Sequence, residues 1–315
     1  MKEKLRNYFA FSEGGMNNTL AASRWSFLKF LSFVFPPMLT FFFLQDVLNG
    51  NIRQTFFYMG ILIVIALLMF LILAKEYKMT YDVTYQESTQ LRIDLANKLK
   101  ELPLSYFSTH NLSDLSQTVM MDVSNTEMVI SHAVPAGIGF AGFFTLMTIL
   151  MCMSNLILGL TVTVPIWLGI ATMFLLKRIQ LSGVKKYYNK LLDNSNAFQE
   201  AFEMQQEIKS YSMQDQVRSD VEEKLESTEW IHLKAEVGLG LLNFLIGILP
   251  YLAPVLTATV GAGLYLSGSI NILYYVGYLM AATTLSSQFS AVSEYLLMIF
   301  FFETSFRRIG ELKNE

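Results

Sequence analysis

The sequence predicts an all-α membrane protein with six transmembrane helices and two long helical hairpins outside the membrane. Three observations carry this prediction. Hydrophobic residues make up 53% of the 315-residue chain and charged residues only 16%, whereas soluble domains carry about 25% charged residues. Several apolar runs approach or exceed the length of about 20 residues that a helix needs to cross a bilayer. Long polar linkers separate these runs at only two places.

Six apolar segments are predicted to span the membrane. Pro36 and Pro37 interrupt the first segment, and Pro250 and Pro254 lie inside the fifth. Such prolines are compatible with a span, because neighbouring groups can satisfy the carbonyls that a proline frees. The predicted spans are 25–44, 56–74, 133–151, 156–176, 237–266 and 270–302.

The linkers between these spans alternate between short and long. Those after the second and fourth spans, residues 75–132 and 177–236, are long and of nearly equal length. Folded as two antiparallel helices, each linker would form a hairpin of about 40 Å at 1.5 Å per residue. The two hairpins would project from the same face of the membrane.

The stretch 91–127 indicates how the first hairpin is built. Four leucines recur at three- and four-residue spacing from 91 to 102, with charged residues between them, which is typical of an amphipathic helix. Pro103 and the polar residues after it interrupt this helix. Asn111, followed three residues later by Asp114, predicts a new helix start. The hairpin tip is therefore predicted near Asn111.

The distribution of charge predicts the orientation. Of the 23 basic residues, only Arg53 lies in a short linker, and the others lie in the long linkers or near the two termini. The positive-inside rule then places both termini and both hairpins in the cytoplasm of a cell (plasma or inner) membrane. A net charge of −3 without a long basic run argues against nucleic acid as a partner. Cys152 is the only cysteine, and the three histidines lack ligand spacing, so no metal site is expected.

Four short motifs follow one another along the chain. Residues 102–107 read LPLSYF, and Asp114, Asp122 and Glu127 fit the pattern GDLxxRxxxDVxxxE. Residues 200–211 resemble ExxxGxxxIKxF, with Tyr211 at the place of the Phe, and residues 308–312 fit RIxEL. In order and position these motifs resemble the transmembrane domain of an ABC transporter of the exporter (type IV) fold, also called the type 1 transmembrane domain. The resemblance covers nearly the whole chain, with departures at Ser113, Thr118 and Met204.

The resemblance implies that a short coupling helix at each hairpin tip docks on an ATPase domain. An ordinary solvated loop is the alternative at either tip. Carried over to this sequence, the coupling residues are His110, Asn111, Leu112, Ser113 and Asp114 at the first tip, and Glu200, Met204, Ile208, Lys209 and Tyr211 at the second.

The resemblance also implies ATP and magnesium on a nucleotide-binding domain. No G-x-x-x-x-G-K-[ST] phosphate loop occurs in this sequence, so this chain is expected to bind no cofactor and to hold no catalytic residue. The ATPase domain is expected after residue 315 or on a separate chain. A second transmembrane domain, a copy or a homologue, would complete this half-transporter within the lipid bilayer.

Polar residues of the sixth predicted span fall at three- and four-residue spacing and predict one stripe that lines a substrate cavity. Packing between helices is the alternative, because small residues let helices approach closely. For Glu294, an exposed carboxylate at the membrane interface is a further alternative. The predicted cavity residues are Thr283, Ser286, Ser287, Ser290, Ser293 and Glu294.

The expected function is ATP-driven transport, with export of a lipid, peptide or drug-like compound as the default for this fold. Import of a siderophore or another metal chelate on the same fold is an alternative. An ion-coupled secondary carrier is an alternative of another class; it would show inverted repeats and acids at mid-membrane depth, and neither is evident. A non-transporting scaffold is a third class, which the two matched long linkers argue against.

Overall fold

The computed structural model describes the backbone of residues 6, 8, 9, 11–109 and 112–315. It describes the side chains of these residues except at 13, 83, 109, 112–114, 180, 183–193, 196, 239 and 314. The described chain is helical and contains no strand. It forms two compact units, one of Met1–Leu168 with Leu249–Glu315 and one of Gly169–Ile248.

Long helices alternate with short ones and with two π-helical turns. In chain order the elements are α1 (Glu13–Ser32), α2 (Phe35–Leu48), α3 (Thr55–Glu101), α4 (Leu104–Thr109), α5 (Leu112–Gln117), π1 (Thr118–Asp122), α6 (Val123–Met128), π2 (Val129–Ala133), α7 (Val134–Ser154), α8 (Leu156–Glu203), α9 (Gln205–Ser210), α10 (Gln214–Leu266), α11 (Ile272–Phe301) and α12 (Glu303–Asn314).

The predicted spans fall on these long apolar helices. Five helical segments of the described chain are long and apolar enough to cross a membrane, and the count becomes six if α11 and α12, which meet at a bend of 44°, are one span. Each of the six predicted spans falls on one of them. The helices continue well past the predicted spans, because α3 extends to Glu101 and α8 to Glu203.

The predicted interruption of the first span is present. α1 ends at Ser32 and α2 begins at Phe35, so that Pro36 and Pro37 lie in the first turn of α2. Proline is tolerated there because the first amides of a helix have no intrahelical acceptor to bond.

Glu87 of α3 holds the start of α1. Ser12 is the N-cap of α1, and its hydroxyl accepts a hydrogen bond from the amide of Gly15 at 2.9 Å. The amide and the hydroxyl of Ser12 each donate to a carboxylate oxygen of Glu87 at 2.6 Å. Gly15 leaves room for the carboxylate in this position, because a Cβ there would overlap the side chain of Glu87. A negative charge beside the N-terminus of a helix is also favourable.

α1 packs against both α3 and α7. Against α3, the ammonium of Lys29 lies 2.7 Å from the carboxylate of Glu76. Against α7, Gly139 allows close approach, since a Cβ at this residue would lie 2.7 Å from the backbone nitrogen of Phe27. Small residues bring helix backbones together in this way within membranes.

Two of the four leucines predicted between 91 and 102 to line one helix face are buried, and the other two are partly buried and pack against the same cluster. Leu91 and Leu95 are 1% and 0% exposed, and they pack with Val123 of α6 and with Ile309 and Leu312 of α12. α3 ends at Glu101, where Leu102 adopts the extended conformation that a following proline favours. The predicted amphipathic helix and its interruption at Pro103 are therefore confirmed.

The second unit consists of the end of α8, the short helix α9 and the start of α10. Thr228 of α10 donates a hydrogen bond to the side-chain carbonyl of Asn194 in α8 at 3.1 Å, and both residues are buried. Ser212, which follows α9, has a left-handed backbone with φ of 55°. This conformation ends the short helix and leads the chain into α10.

A short turn joins α7 to α8. Asn155 caps α8, because its side-chain oxygen accepts a hydrogen bond from the amide of Leu158 at 3.1 Å. Gly159 packs directly on the end of α7, and a Cβ there would lie 2.8 Å from the Cα of Cys152. Cys152 itself is half-buried and forms no disulfide.

Candidate functional site

The polar residues of α11 differ in exposure. Thr283, Ser287 and Glu294 are exposed, whereas Ser286 and Ser293 are buried. Ser290 lies between the two groups and is half-buried. At 3.6 residues per turn the six residues occupy one side of the helix, about 120° wide. Their role as a stripe that lines a substrate cavity stays a prediction.

The buried group is engaged in packing. The hydroxyl of Ser286 donates to the carbonyl oxygen of Pro250 in α10 at 2.6 Å. Pro254 has no amide hydrogen with which to bond that carbonyl within α10. Ser293 donates to the carbonyl of Ser290 in its own helix at 2.7 Å. The Ser286 bond joins α10 to α11, whereas the Ser293 bond lies within α11.

Gln288 is a further buried polar residue on α11. Its amide nitrogen lies 3.5 Å from the carbonyl oxygen of Phe30 in α1. Its side-chain oxygen is buried and has no hydrogen-bond partner among the described residues. A buried polar atom without a partner is uncommon and costs stability.

The exposed group contains the carboxylate of α11. Thr283 and Ser287 donate hydrogen bonds to carbonyls of their own helix, so lipid could cover them at low cost. Glu294 is different, because no hydrogen bond or ion pair joins it to another described residue. An ionised carboxylate is expensive in hydrocarbon and faces water or a partner.

An apolar cavity of about 390 Å³ lies between α2, α7 and α11. No charged residue lines it, and its polar atoms come from residues such as Ser154, Tyr274 and Thr284. Methionine is frequent in its wall, and this flexible side chain adapts to ligands of different shape. The methionines are Met38, Met147, Met151 and Met280.

A polar joint connects α12 to π1. The carboxylate of Asp122 is 6% exposed, and its Oδ2 lies 3.3 Å from Nε of Arg308. Ser305 donates a hydrogen bond to Oδ1 of Asp122 at 2.8 Å and lies 3.2 Å from the side-chain nitrogen of Asn125. The sequence marked Asp122 and Arg308 only as parts of separate motifs. The structure brings the two motifs into contact.

Glu127, the last acid of the same motif, makes a second joint. It accepts a hydrogen bond from Ser88 of α3 at 2.5 Å and lies 3.5 Å from Arg92. Arg92 also donates to Ser124 at 3.0 Å. The motif therefore contacts α3 through Glu127 and α12 through Asp122.

The bend between α11 and α12 packs against the N-terminal segment. The ring centroids of Phe9 and Phe306 lie 5.1 Å apart, and both residues are buried. Burial, together with the negative charge of Glu303 and a hydrogen bond to it, raises the pKa of Tyr8 to about 12. The segment therefore supports the point at which α11 turns into α12.

An aromatic ladder was missed by the sequence analysis. The ring centroids of Tyr77 and Tyr81 lie 4.3 Å apart, and those of Tyr81 and Tyr85 lie 6.3 Å apart. His132 lies 5.7 Å from Tyr81 and stacks on Tyr295 of α11 at 6.0 Å. The signal was the repeat of tyrosine every fourth residue, which places all three rings on one face of α3.

The first predicted hairpin tip is only partly described. His110 and Asn111 lie outside the described residues. Leu112, Ser113 and Asp114 begin helix α5, at the position where the sequence predicts a helix start, but their side chains are not described.

The second predicted tip forms a hollow of about 380 Å³ around α9. Four of the five predicted residues line it, and Lys209 of α9 does not. Acidic and apolar side chains share the wall of the hollow. The predicted residues in the wall are Glu200, Met204, Ile208 and Tyr211.

Comparison with known proteins identifies the family. The sequence profile of the ABC transporter transmembrane region matches residues 25–291. No curated protein matches the chain. The match covers most of the apolar helices, both long linkers and the exposed polar face of α11 as far as Ser290. A membrane protein of this family works together with nucleotide-binding domains and a second transmembrane domain. The chain belongs to the family of ABC transporter transmembrane regions and is the membrane-spanning half of such a transporter.

Proposed function

We propose that this chain, with a second copy or a homologue, forms the translocation pathway of an ATP-driven exporter for lipid, peptide or drug-like compounds. The observation that carries the proposal is the exposed carboxylate of Glu294 on the otherwise uncharged helix α11. Membership of the ABC family favours ATP over an ion gradient as the source of energy.

The exposed face of α11 supports a water-filled pathway. Thr283, Ser287 and Glu294 lie at spacings of four and seven residues and so share one side of the helix. Lipid contact would leave the charge of Glu294 without compensation. A second transmembrane domain opposite this face would enclose a polar cavity, and the carboxylate would then face water or substrate.

The apolar cavity between α2, α7 and α11 supports a substrate with a large apolar part. Its volume of about 390 Å³ falls within the range of about 300–1,000 Å³ that is usual for small-molecule sites. Its aromatic and methionine side chains offer dispersion contacts without a fixed charge. These features favour a lipid-like or drug-like compound.

The joint at Asp122 supports transmission of movement from the ATPase domains. α12 is held to α3 and α6 by the apolar cluster of Ile309 and Leu312, and to π1 by the pair of Asp122 and Arg308. A movement of the ATPase domains, which bind ATP and magnesium, would reach these elements together. The hairpin tips would act as coupling helices that receive this movement. Both hairpins and both termini would lie on the cytoplasmic side of a cell (plasma or inner) membrane, which the basic residues favour.

Replacement of Glu294 by glutamine tests the pathway. In the complete transporter we expect Glu294→Gln to change substrate affinity or selectivity while folding and dimer formation stay as in the parent. Glu222→Gln is the matched control, because Glu222 is exposed in the second unit and paired with Arg218. Transport and substrate-stimulated ATPase activity equal to the parent in both variants would remove Glu294 from the pathway.

Replacement of Asp114 by lysine tests coupling at the first tip. A positive charge in the first turn of α5 opposes the helix dipole by about 0.3–1 kcal/mol, which is too little to unfold the helical bundle. We expect expression, dimerisation and substrate binding to persist while ATP hydrolysis is uncoupled from transport. The measurement is the ratio of transported substrate to hydrolysed ATP, and a ratio equal to that of the parent would refute the coupling role.

A further inference from the structure

A groove of about 460 Å³ runs along the packed surfaces of α2 and α3. Apolar side chains from both helices form most of its wall, and a polar cluster of Asp46, Arg53 and Tyr58 forms one end. The apolar wall consists mainly of Phe35, Leu39, Phe42, Ile61, Ile65 and Leu68.

The polar end presents one cation and one anion. The hydroxyl of Tyr58 donates to Oδ2 of Asp46 at 2.6 Å, and Nε of Arg53 lies 3.6 Å from the same oxygen. The guanidinium of Arg53 lies over the ring of Phe57, 4.7 Å from its centroid, and its side chain is 59% exposed. Within the described chain, no group pairs with Oδ1 of Asp46 or with the terminal nitrogens of Arg53.

The groove has the depth of one leaflet of a bilayer. From Phe57 to Leu68, α3 rises about 16 Å at 1.5 Å per residue. The hydrocarbon core of a bilayer is about 30 Å thick, so that one leaflet contributes about half of it. Arg53 is the only basic residue in the short linkers of the sequence. The groove therefore begins at a membrane surface, beside Arg53 and Asp46, and ends near the bilayer centre.

We propose that this groove binds one phospholipid whose headgroup carries a phosphate and a primary ammonium, as in phosphatidylethanolamine. The phosphate accepts hydrogen bonds from the terminal nitrogens of Arg53, whose planar donors suit phosphate oxygens. The ammonium donates to Oδ1 of Asp46. One acyl chain lies along Leu39 and Ile65. The site is built from α2, α3 and the linker between them, and it does not rest on the transport function.

The test is native mass spectrometry of the purified full chain with added phosphatidylethanolamine, phosphatidylglycerol or phosphatidylcholine of identical acyl chains. We expect phosphatidylethanolamine to bind about tenfold more tightly than either other lipid. Arg53→Gln should weaken its binding about tenfold, since hydrogen bonds to charged groups are worth about one to two powers of ten in affinity. Ile65→Trp should fill the groove and prevent binding.

Ile63→Trp is the matched control, because Ile63 lies on the same helix at similar depth, is 65% exposed and does not line the groove. It should bind lipid as the parent does. Equal binding of the three lipids, or equal binding by parent and Arg53→Gln, would identify ordinary surrounding lipid and overturn the proposal. A lipid-free dimer that dissociates in the Ile65→Trp variant but not in the Ile63→Trp variant would show that a second copy of the chain occupies the groove. This result would also overturn the lipid proposal. If Ile65→Trp does not fold, the comparison of Arg53→Gln with the parent decides.

Discussion

Ser286 replaces a hydrogen bond that the sequence of α10 cannot make. Pro254 lacks an amide hydrogen, and the carbonyl of Pro250 receives the hydroxyl of Ser286 instead. We expect Ser286→Ala to lower the free energy of unfolding by about 1 kcal/mol, the usual range for such a bond inside a membrane protein. The measurement is denaturation of the purified chain followed by its helical signal.

Ser287→Ala serves as the control for this bond. Ser287 is exposed and donates to the carbonyl of Thr284 in its own helix at 3.0 Å. Its loss should change stability by less than about 0.5 kcal/mol, as is usual for surface substitutions. Equal effects of the two substitutions would show that the bond to Pro250 contributes nothing specific.

The pair of Asp122 and Arg308 should be the most sensitive polar contact near α12. Asp122 is nearly fully buried, so Arg308→Gln leaves a buried charge without its partner. Removal of one partner of such a pair costs about 3–5 kcal/mol; because the Arg308 side chain is 25% exposed, we expect the lower end of this range. Denaturation of the parent and variant chains measures the loss.

Arg307→Gln is the neighbouring control for this prediction. Arg307 is 70% exposed and lies 3.7 Å from Glu311 one turn along α12. Such pairs contribute about 0.3–0.5 kcal/mol. The double variant Asp122→Asn with Arg308→Gln should recover part of the stability, because no unpaired charge remains. A loss at Arg307 as large as that at Arg308 would argue against the buried pair.

At the scale of whole elements, the contact of α1 with α7 depends on Gly139. An added methyl group there would meet the backbone of Phe27 at 2.7 Å, whereas one at Gly263 of α10 would meet nothing within 4 Å. Alanine is the better helix former by about 0.5–1 kcal/mol. We therefore expect opposite signs: Gly263→Ala stabilises the chain, and Gly139→Ala destabilises it by about 1–3 kcal/mol through overpacking. Thermal unfolding of both variants in one detergent tests this, and stabilisation by Gly139→Ala would contradict the close contact.

Local periodicity was sufficient to predict some elements. The leucines between 91 and 102 predicted a buried helix face, and Leu95 is fully buried. Pro36 and Pro103 predicted the breaks after Ser32 and Glu101. These predictions succeed because amphipathic spacing and the missing amide of proline act within a few residues of the chain.

Long-range contacts were not predictable in the same way. The two π-helical turns, π1 and π2, each add a residue to the helical register, so the periodicity before and after them does not match. Because of this change in register, the sequence pattern could not show that Asp122 faces Arg308. The difference in exposure among the polar residues of α11 likewise depends on where α10 packs, since Ser286 is buried by its contact with Pro250.

For the molecule as a whole, orientation in the membrane is the property to test. In a chain whose Cys152 is replaced by serine, we expect Asn49→Cys and Ser269→Cys to react with an impermeant thiol reagent on intact cells. Asn111→Cys should not react until the cells are opened. The reason is that the basic residues other than Arg53 favour the cytoplasmic side. Reaction of Asn111→Cys on intact cells would overturn the orientation.

The position of Cys152 makes the natural chain suitable for distance measurement. It is the only thiol, and it lies where Gly159 packs the start of α8 onto the end of α7. A nitroxide attached there would be held close to a rigid turn. In a transporter assembled from two copies, the dipolar coupling between the two labels would report a single distance. The change of that distance between nucleotide-free and ATP-bound states would measure how far this end of the pathway opens, without a cysteine introduced into residues 1–315.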